Sequence, residues 1–163
     1  MILYGIMAAA IIAADQWTKL LIRANLAVGD RIPIIGDWMR IAHVQNYGAA
    51  FSMFSGNRWI TVVLTSVLIL LCVILAIREI RSGSKLLAMC LTWILAGGIG
   101  NMIDRLTQGY VTDMISCGSF AVFNVADIFV TCGCILAAVY VIFFYKEEPE
   151  KKDETKCEGV RDE

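Results

Sequence analysis

The chain has 163 residues, 58% of them hydrophobic and 18% charged, with a formal net charge of −1. That balance lies outside the usual soluble range and is the composition of a membrane protein. The near-zero charge excludes the basic footprint of a nucleic-acid partner.

The first apolar stretch runs from Met1 to about Ala14 and continues, with polar interruptions, through Trp17, Leu20, Leu21 and Ile22 toward Leu26. An apolar N-terminal run can also be the core of a cleaved signal peptide. No Lys or Arg precedes this one, and the pattern carries on past Asp15, so a retained span over about residues 1–26 is expected. Asp15 and Lys19 lie four apart within it, acid first, the favourable order for a helical ion pair, and read as a structural pair. Residues 28–58 are extramembrane. Turn formers (Gly29-Asp30, Pro33, Gly36-Asp37) separate short runs at Arg31 to Ile35 and Trp38 to Val44, which predicts a small sheet between the first two spans. Asn46 to Phe54 is apolar but too short to cross a bilayer, so it is expected at the interface or slightly re-entrant.

A bilayer core about 30 Å thick needs roughly 20 helical residues, and further spans are expected at 59–77, 86–104 and 125–145. A short basic link (Arg78, Arg81, Lys85) joins the second to the third. Residues 146–163 are almost wholly charged and are expected to be a disordered cytoplasmic tail. Most Lys and Arg lie in that link and tail, which by the positive-inside rule puts both termini in the cytoplasm. The outward third span and returning fourth then bring Asp104, Asp113 and Asp127 to one leaflet. The expected fold class is an all-α membrane protein with four transmembrane helices and a small extracytoplasmic β-sheet between helices 1 and 2. Ala96 with Gly100, and Gly133 with Ala137, are small-residue pairs suited to close helix packing.

Several chemistries lack their residues. The only histidine is His43, too few for a zinc protease helix. Ser52, Ser55, Ser116 and Ser119 occupy no nucleophile turn, and nothing orients Cys117 with His43 as a Cys-His pair. The six cysteines (72, 90, 117, 132, 134 and 157) include no Cys-x-x-Cys and read as helix-packing thiols; no metal or other cofactor is expected. Carboxylate chemistry remains. An ionisable group beside a membrane span is expensive to keep, and its default reading is function. Asp113 follows the third span and Asp127 opens the fourth, with Met114 to Val122 able to form a hairpin turning at Cys117-Gly118-Ser119. Two acids in a poorly solvated site share a proton and divide acid and base roles. Asp104 with Arg105 reads as a structural or substrate-positioning ion pair. Asn46, Asn101 and Asn124 can orient the acids or bind an extended backbone. Acids that merely cap helix ends are the plain alternative, and a proton- or cation-coupled transporter using them as a relay is the rival function.

Five ordered segments, Asp15-Gln-Trp-Thr-Lys19, Asn46-Tyr-Gly-Ala-Ala-Phe51, Gly100-Asn-Met-Ile-Asp-Arg105, Val111-Thr-Asp113 and Phe123-Asn-Val-Ala-Asp127, resemble the motif series of the lipoprotein signal peptidases, or signal peptidase II. The resemblance implies an intramembrane aspartyl endopeptidase of the bacterial plasma membrane. Such an enzyme removes signal peptides from diacylglyceryl-modified prolipoproteins, cutting before the lipidated cysteine. It further implies a single peptidase domain over 1–145, a catalytic pair at Asp113 and Asp127, and dyad-supporting or substrate-binding roles for Asn46, Asn101, Asp104, Arg105 and Asn124. The implied partners are prolipoprotein substrates, membrane lipids and globomycin-type inhibitors, with a monomeric enzyme near the outer leaflet. The stretch between the two acids is short for the family, and the charged tail belongs to no motif.

Overall fold

The computed structural model describes residues 1–36, 38–48, 58–118 and 122–144. In chain order these form α1 (Ile2–Asn25), β1 (Arg31–Ile35), β2 (Met39–Asn46), α2 (Arg58–Ser82), α3 (Lys85–Thr107), β3 (Val111–Cys117), β4 (Val122–Phe123) and α4 (Val125–Phe144). All four helices are long and apolar enough to cross a membrane, and the chain is a multi-pass membrane protein. The interfacial segment expected up to Phe54 lies, beyond residue 48, outside the described residues. So do the charged tail and Cys157.

Each helix covers one of the expected stretches, and two run further: α3 continues past residue 104 to Thr107, and α2 past residue 77 to Ser82. α2 runs on through Arg78 to Ser82, because nothing in that stretch opposes a helix until Gly83. There φ is +87°, and Ser84 N–H donates to Glu79 O at 3.1 Å, the closure that a left-handed residue after a helix end provides. α3 begins two residues later and runs antiparallel to α2.

α3 is the central helix, packed against α1, α2 and α4. The outer helices bury one face and leave large apolar side chains outside, such as Val63, Val67 and Leu70 on α2 and Ile142 and Phe143 on α4. That surface suits lipid, where helix association rests on close packing rather than on a hydrophobic drive. Glycines provide the closeness. A Cβ on Gly97 would stand 2.5 Å from Ala126 O and 2.7 Å from Val130 Cγ2. A Cβ on Gly100 would stand 2.6 Å from Asp15 Oδ2, and one on Gly133 would meet Cys90 O at 2.8 Å. Gly97, which formed no part of the expected pairs, is therefore also a point of tight contact between α3 and α4.

The sheet corrects the expected architecture. Its strand order is β1-β2-β3-β4, antiparallel throughout, so only half of it comes from between the first two helices. β3 and β4 come from the link between α3 and α4. Both links leave the bundle at the same end, and β3 supplies hydrogen-bonding partners to β2 from Met39↔Cys117 to Asn46↔Val111. The expected hairpin is present, with Ile115↔Phe123 and Ser116↔Val122 paired. Its turn begins at Gly118, φ +57°, and residues 119–121 lie outside the described residues.

Because a backbone oxygen on α4 cannot move away alone, Gly97→Ala should push α3 and α4 apart and cost about 1–3 kcal/mol. Thermal unfolding of the purified variant in detergent checks this, with a surface change such as Val67→Ala as the comparison.

Candidate active site

α3 does not run on into solvent at its end. Gln108 N–H donates to Asp104 O at 2.7 Å, Gly109 adopts φ +83°, and the chain turns directly into β3. That turn carries Asp113 back over the end of the bundle, opposite Val44 of β2 and only 2% exposed. Two residues beyond Val44, Asn46 Nδ2 donates to Asp113 Oδ2 at 3.0 Å. Gly48 N–H occupies the Asn46 oxygen at 3.0 Å. A backbone N–H can only donate, so the Asn46 amide group must turn its own N–H bonds toward the acid.

Asp127 arrives from the other side, at the third position of α4. Asn124 precedes the helix, and its Oδ1 accepts from Asp127 N–H at 3.0 Å, while Asp127 Oδ2 accepts from Asn124 N–H at 3.2 Å. This is a reciprocal capping box, which satisfies two N–H groups that a helix start leaves open. With its oxygen engaged, Asn124 turns Nδ2 to Asp113 Oδ1 at 2.7 Å and to Asn101 Oδ1 at 3.1 Å. Asn124 thus touches both acids, one through its backbone and one through its amide. Asn101 on α3 completes the group by donating Nδ2 to Asp127 Oδ1 at 2.8 Å.

Beneath this layer lies a second one. Lys19 Nζ, with no solvent exposure, contacts Asp15 Oδ2 at 2.8 Å, Asn101 Oδ1 at 2.8 Å and Asp104 Oδ2 at 3.3 Å. Asp15 Oδ1 accepts from Ala126 N–H of α4 at 2.9 Å. Asp104 Oδ2 accepts from Thr112 N–H of β3 at 3.0 Å, and Asp104 Oδ1 pairs with Arg23 at 3.4 Å. Arg23 also donates to Thr112 Oγ1 at 3.1 Å.

The expected sites are therefore all drawn to one end of the bundle, with one reassignment. Asp104 pairs with Lys19 and Arg23 of α1, whereas Arg105 donates to Gly48 O at 3.3 Å. Adjacent helical residues face different directions, so an Asp104–Arg105 pair had no common side. The Asp15–Lys19 pair is present as read, but it reaches much further than one helix. His43 is bonded through Nδ1 to Leu26 O at 2.9 Å, and Cys117 stands opposite Met39 in the register, away from it. Among the described residues no three His, Cys, Asp or Glu side chains gather as a metal site requires. Arg23, Gly48 and the N–H groups of Thr112 and Ala126 were not anticipated. Backbone donors leave no trace in a sequence, although the Asn-x-x-Asp spacing of a capping box was there to be read.

Burial is the main influence on Asp113, and it pushes the carboxyl up from 3.8 to about 6. The amides of Asn46 and Asn124 and the charge of Lys19 oppose the rise, while Asp127 adds to it. The folded chain then holds this proton more tightly than the unfolded chain, so the group stabilises the fold relatively more at low pH. That advantage is lost as pH rises between about 4 and 6, by about 3 kcal/mol in all. Asp113→Asn cannot titrate. The stability difference between the variant and the wild type should accordingly shift in the variant's favour across that window and stay constant above it, as followed by thermal unfolding at a series of pH values.

The family model described as "Signal peptidase (SPase) II" matches residues 7–143. A lipoprotein signal peptidase of Geobacillus thermodenitrificans is 38% identical over 94% of this chain and 96% of its own length. One from Geobacillus kaustophilus is 37% identical over 93% and 99%. A solved structure titled as a bacterial membrane enzyme superposes with a TM-score of 0.78 at 26% identity, covering 91% of this chain and 94% of that one. By the extent of the matched model and by the identity to these relatives, the chain belongs to the signal peptidase II family.

Proposed function

We propose that this protein is an aspartyl endopeptidase that removes the signal peptide from diacylglyceryl-modified prolipoproteins, cutting before the lipidated cysteine. The observation that carries the reading is the joint attachment of Asp113 and Asp127 to Asn124, at 2.7 and 3.2 Å, at the end of an apolar bundle. Family membership and the names of the relatives supply the substrate class. The same membership leaves the transporter reading without support. Residues 1–145 would act as the one peptidase domain. In this reading the enzyme acts as a monomer.

In this reading both termini are cytoplasmic and the site lies near the outer leaflet. Substrate enters laterally with its acyl chains still in lipid. One acid of the pair is ionised and takes a proton from water. The resulting hydroxide attacks the scissile carbonyl while the protonated acid donates to the carbonyl oxygen. Collapse of the tetrahedral intermediate returns a hydroxyl proton to the second acid and breaks the C–N bond, and the proton taken from water passes to the leaving amine. No covalent enzyme intermediate is needed. One proton is shared between the two acids at rest. The burial of Asp113 and Asn124 keeps bulk water scarce, which strengthens each amide-to-carboxylate hydrogen bond.

Purified protein incubated with a synthetic diacylglyceryl-cysteine precursor peptide should release the signal segment. Asp113→Asn and Asp127→Asn should each lower turnover by at least about 100-fold, the scale of a lost general acid or base, with the protein still inserted and folded. Near-normal turnover in either variant would exclude this mechanism.

A further inference from the structure

Lys19 touches neither acid of the pair and has no exposure to solvent, so it meets neither water nor substrate. Its ammonium has three N–H bonds and no lone pair. The three acceptors around it are Asp15 Oδ2, Asn101 Oδ1 and Asp104 Oδ2, which leaves Asn101 no choice of orientation. Were that amide reversed, its NH2 would face the ammonium, and its oxygen would face the Asp127 carboxylate. As it stands, Asn101 Oδ1 is held by a cation, and Asn101 Nδ2 donates to Asp127 Oδ1 at 2.8 Å. The Asn101 oxygen also accepts from Asn124 Nδ2, the group that reaches Asp113.

We propose that Lys19 is a positioning residue of the peptidase: it locks the Asn101 amide so that Nδ2 is always presented to Asp127, and through the shared Asn101 oxygen it aligns Asn124 with Asp113. This rests on the peptidase reading of the acid pair. The ion pair is then more than a clamp between turns of α1. Its role passes to the chemistry entirely through one side-chain amide.

A lone Lys19→Met leaves two buried acids, Asp15 and Asp104, with the neutral Gln16 amide beside both and the Arg23 cation on Asp104, and such a variant can simply misfold. The combined variant Asp15→Asn/Lys19→Met removes one charge of each sign and keeps Asp104 balanced by Arg23, so it is the variant to test. With the lipidated precursor peptide, kcat per folded molecule should fall about tenfold or more, the scale of one hydrogen bond to a charged group. KM should stay within about twofold, because substrate never meets Lys19. The alkaline limb of the rate profile, where the shared proton is lost, should move to higher pH, since the Lys19 charge holds Asp113 down. Adding Asn101→Ala to this variant should produce no further loss beyond that of Asn101→Ala alone. An unchanged kcat and limb, or losses that multiply, would overturn the positioning role and leave only structural support. The nitrogen-labelled Asn101 carboxamide gives a substrate-free readout: slow hydrogen exchange in the wild type that becomes fast in the combined variant. Fast exchange there with a wild type that never cleaves the precursor overturns the peptidase reading and retains the locking of Asn101. Slow exchange in both overturns the locking itself.

Discussion

A fully buried ammonium at the end of the bundle is the constraint around which the other polar contacts are arranged. An unpaired charge in such a place is prohibitive, and removing one partner of a buried pair typically costs about 3–5 kcal/mol. Lys19 is tolerated because three acceptors meet its three N–H bonds. Each acceptor is engaged elsewhere as well. Asp15 holds the start of α4 through Ala126 N–H, Asp104 holds the start of β3 through Thr112 N–H, and Asn101 reaches Asp127. Satisfying one cation thereby joins α1, α3, α4 and the sheet at a single place.

The glycines of α3 belong to the same arrangement. Asp15 can approach the Lys19–Asn101 layer only because position 100 has no side chain, and Ala126 can present its N–H to Asp15 only because α4 lies against Gly97. Packing and polar satisfaction are therefore not separate contributions here. In lipid, where apolar contact alone gives little preference for one helix pairing over another, this combination of small residues and hydrogen bonds defines the bundle.

Above that layer, ordinary secondary-structure rules supply the reactive pair. A capping box that many soluble helices use to close their first turn holds Asp127, with the partial positive charge of the α4 N-terminus beside it. A strand leaving the end of α3 brings in Asp113. The sheet is short, yet it satisfies the backbone of two links that would otherwise lie unpaired at the edge of an apolar bundle. Its β2 strand also delivers Asn46 to the second carboxylate oxygen of Asp113.

Much of this was legible in the sequence, and the boundary is physical. Helix number and approximate extent follow from runs of apolar residues, since the hydrocarbon thickness sets their length. The three aspartates and three asparagines stood out because polar groups beside such runs are costly. Their identity as one cluster followed from topology, which returns the fourth span to the end where the third left. What the tertiary structure alone decided is partnership: that β3 joins β2 in one sheet, that Asp104 faces α1 rather than Arg105, and that Lys19 governs an amide on another helix. Those outcomes depend on which faces meet and on backbone N–H groups identical in every residue, and a one-dimensional pattern of side chains does not carry that information.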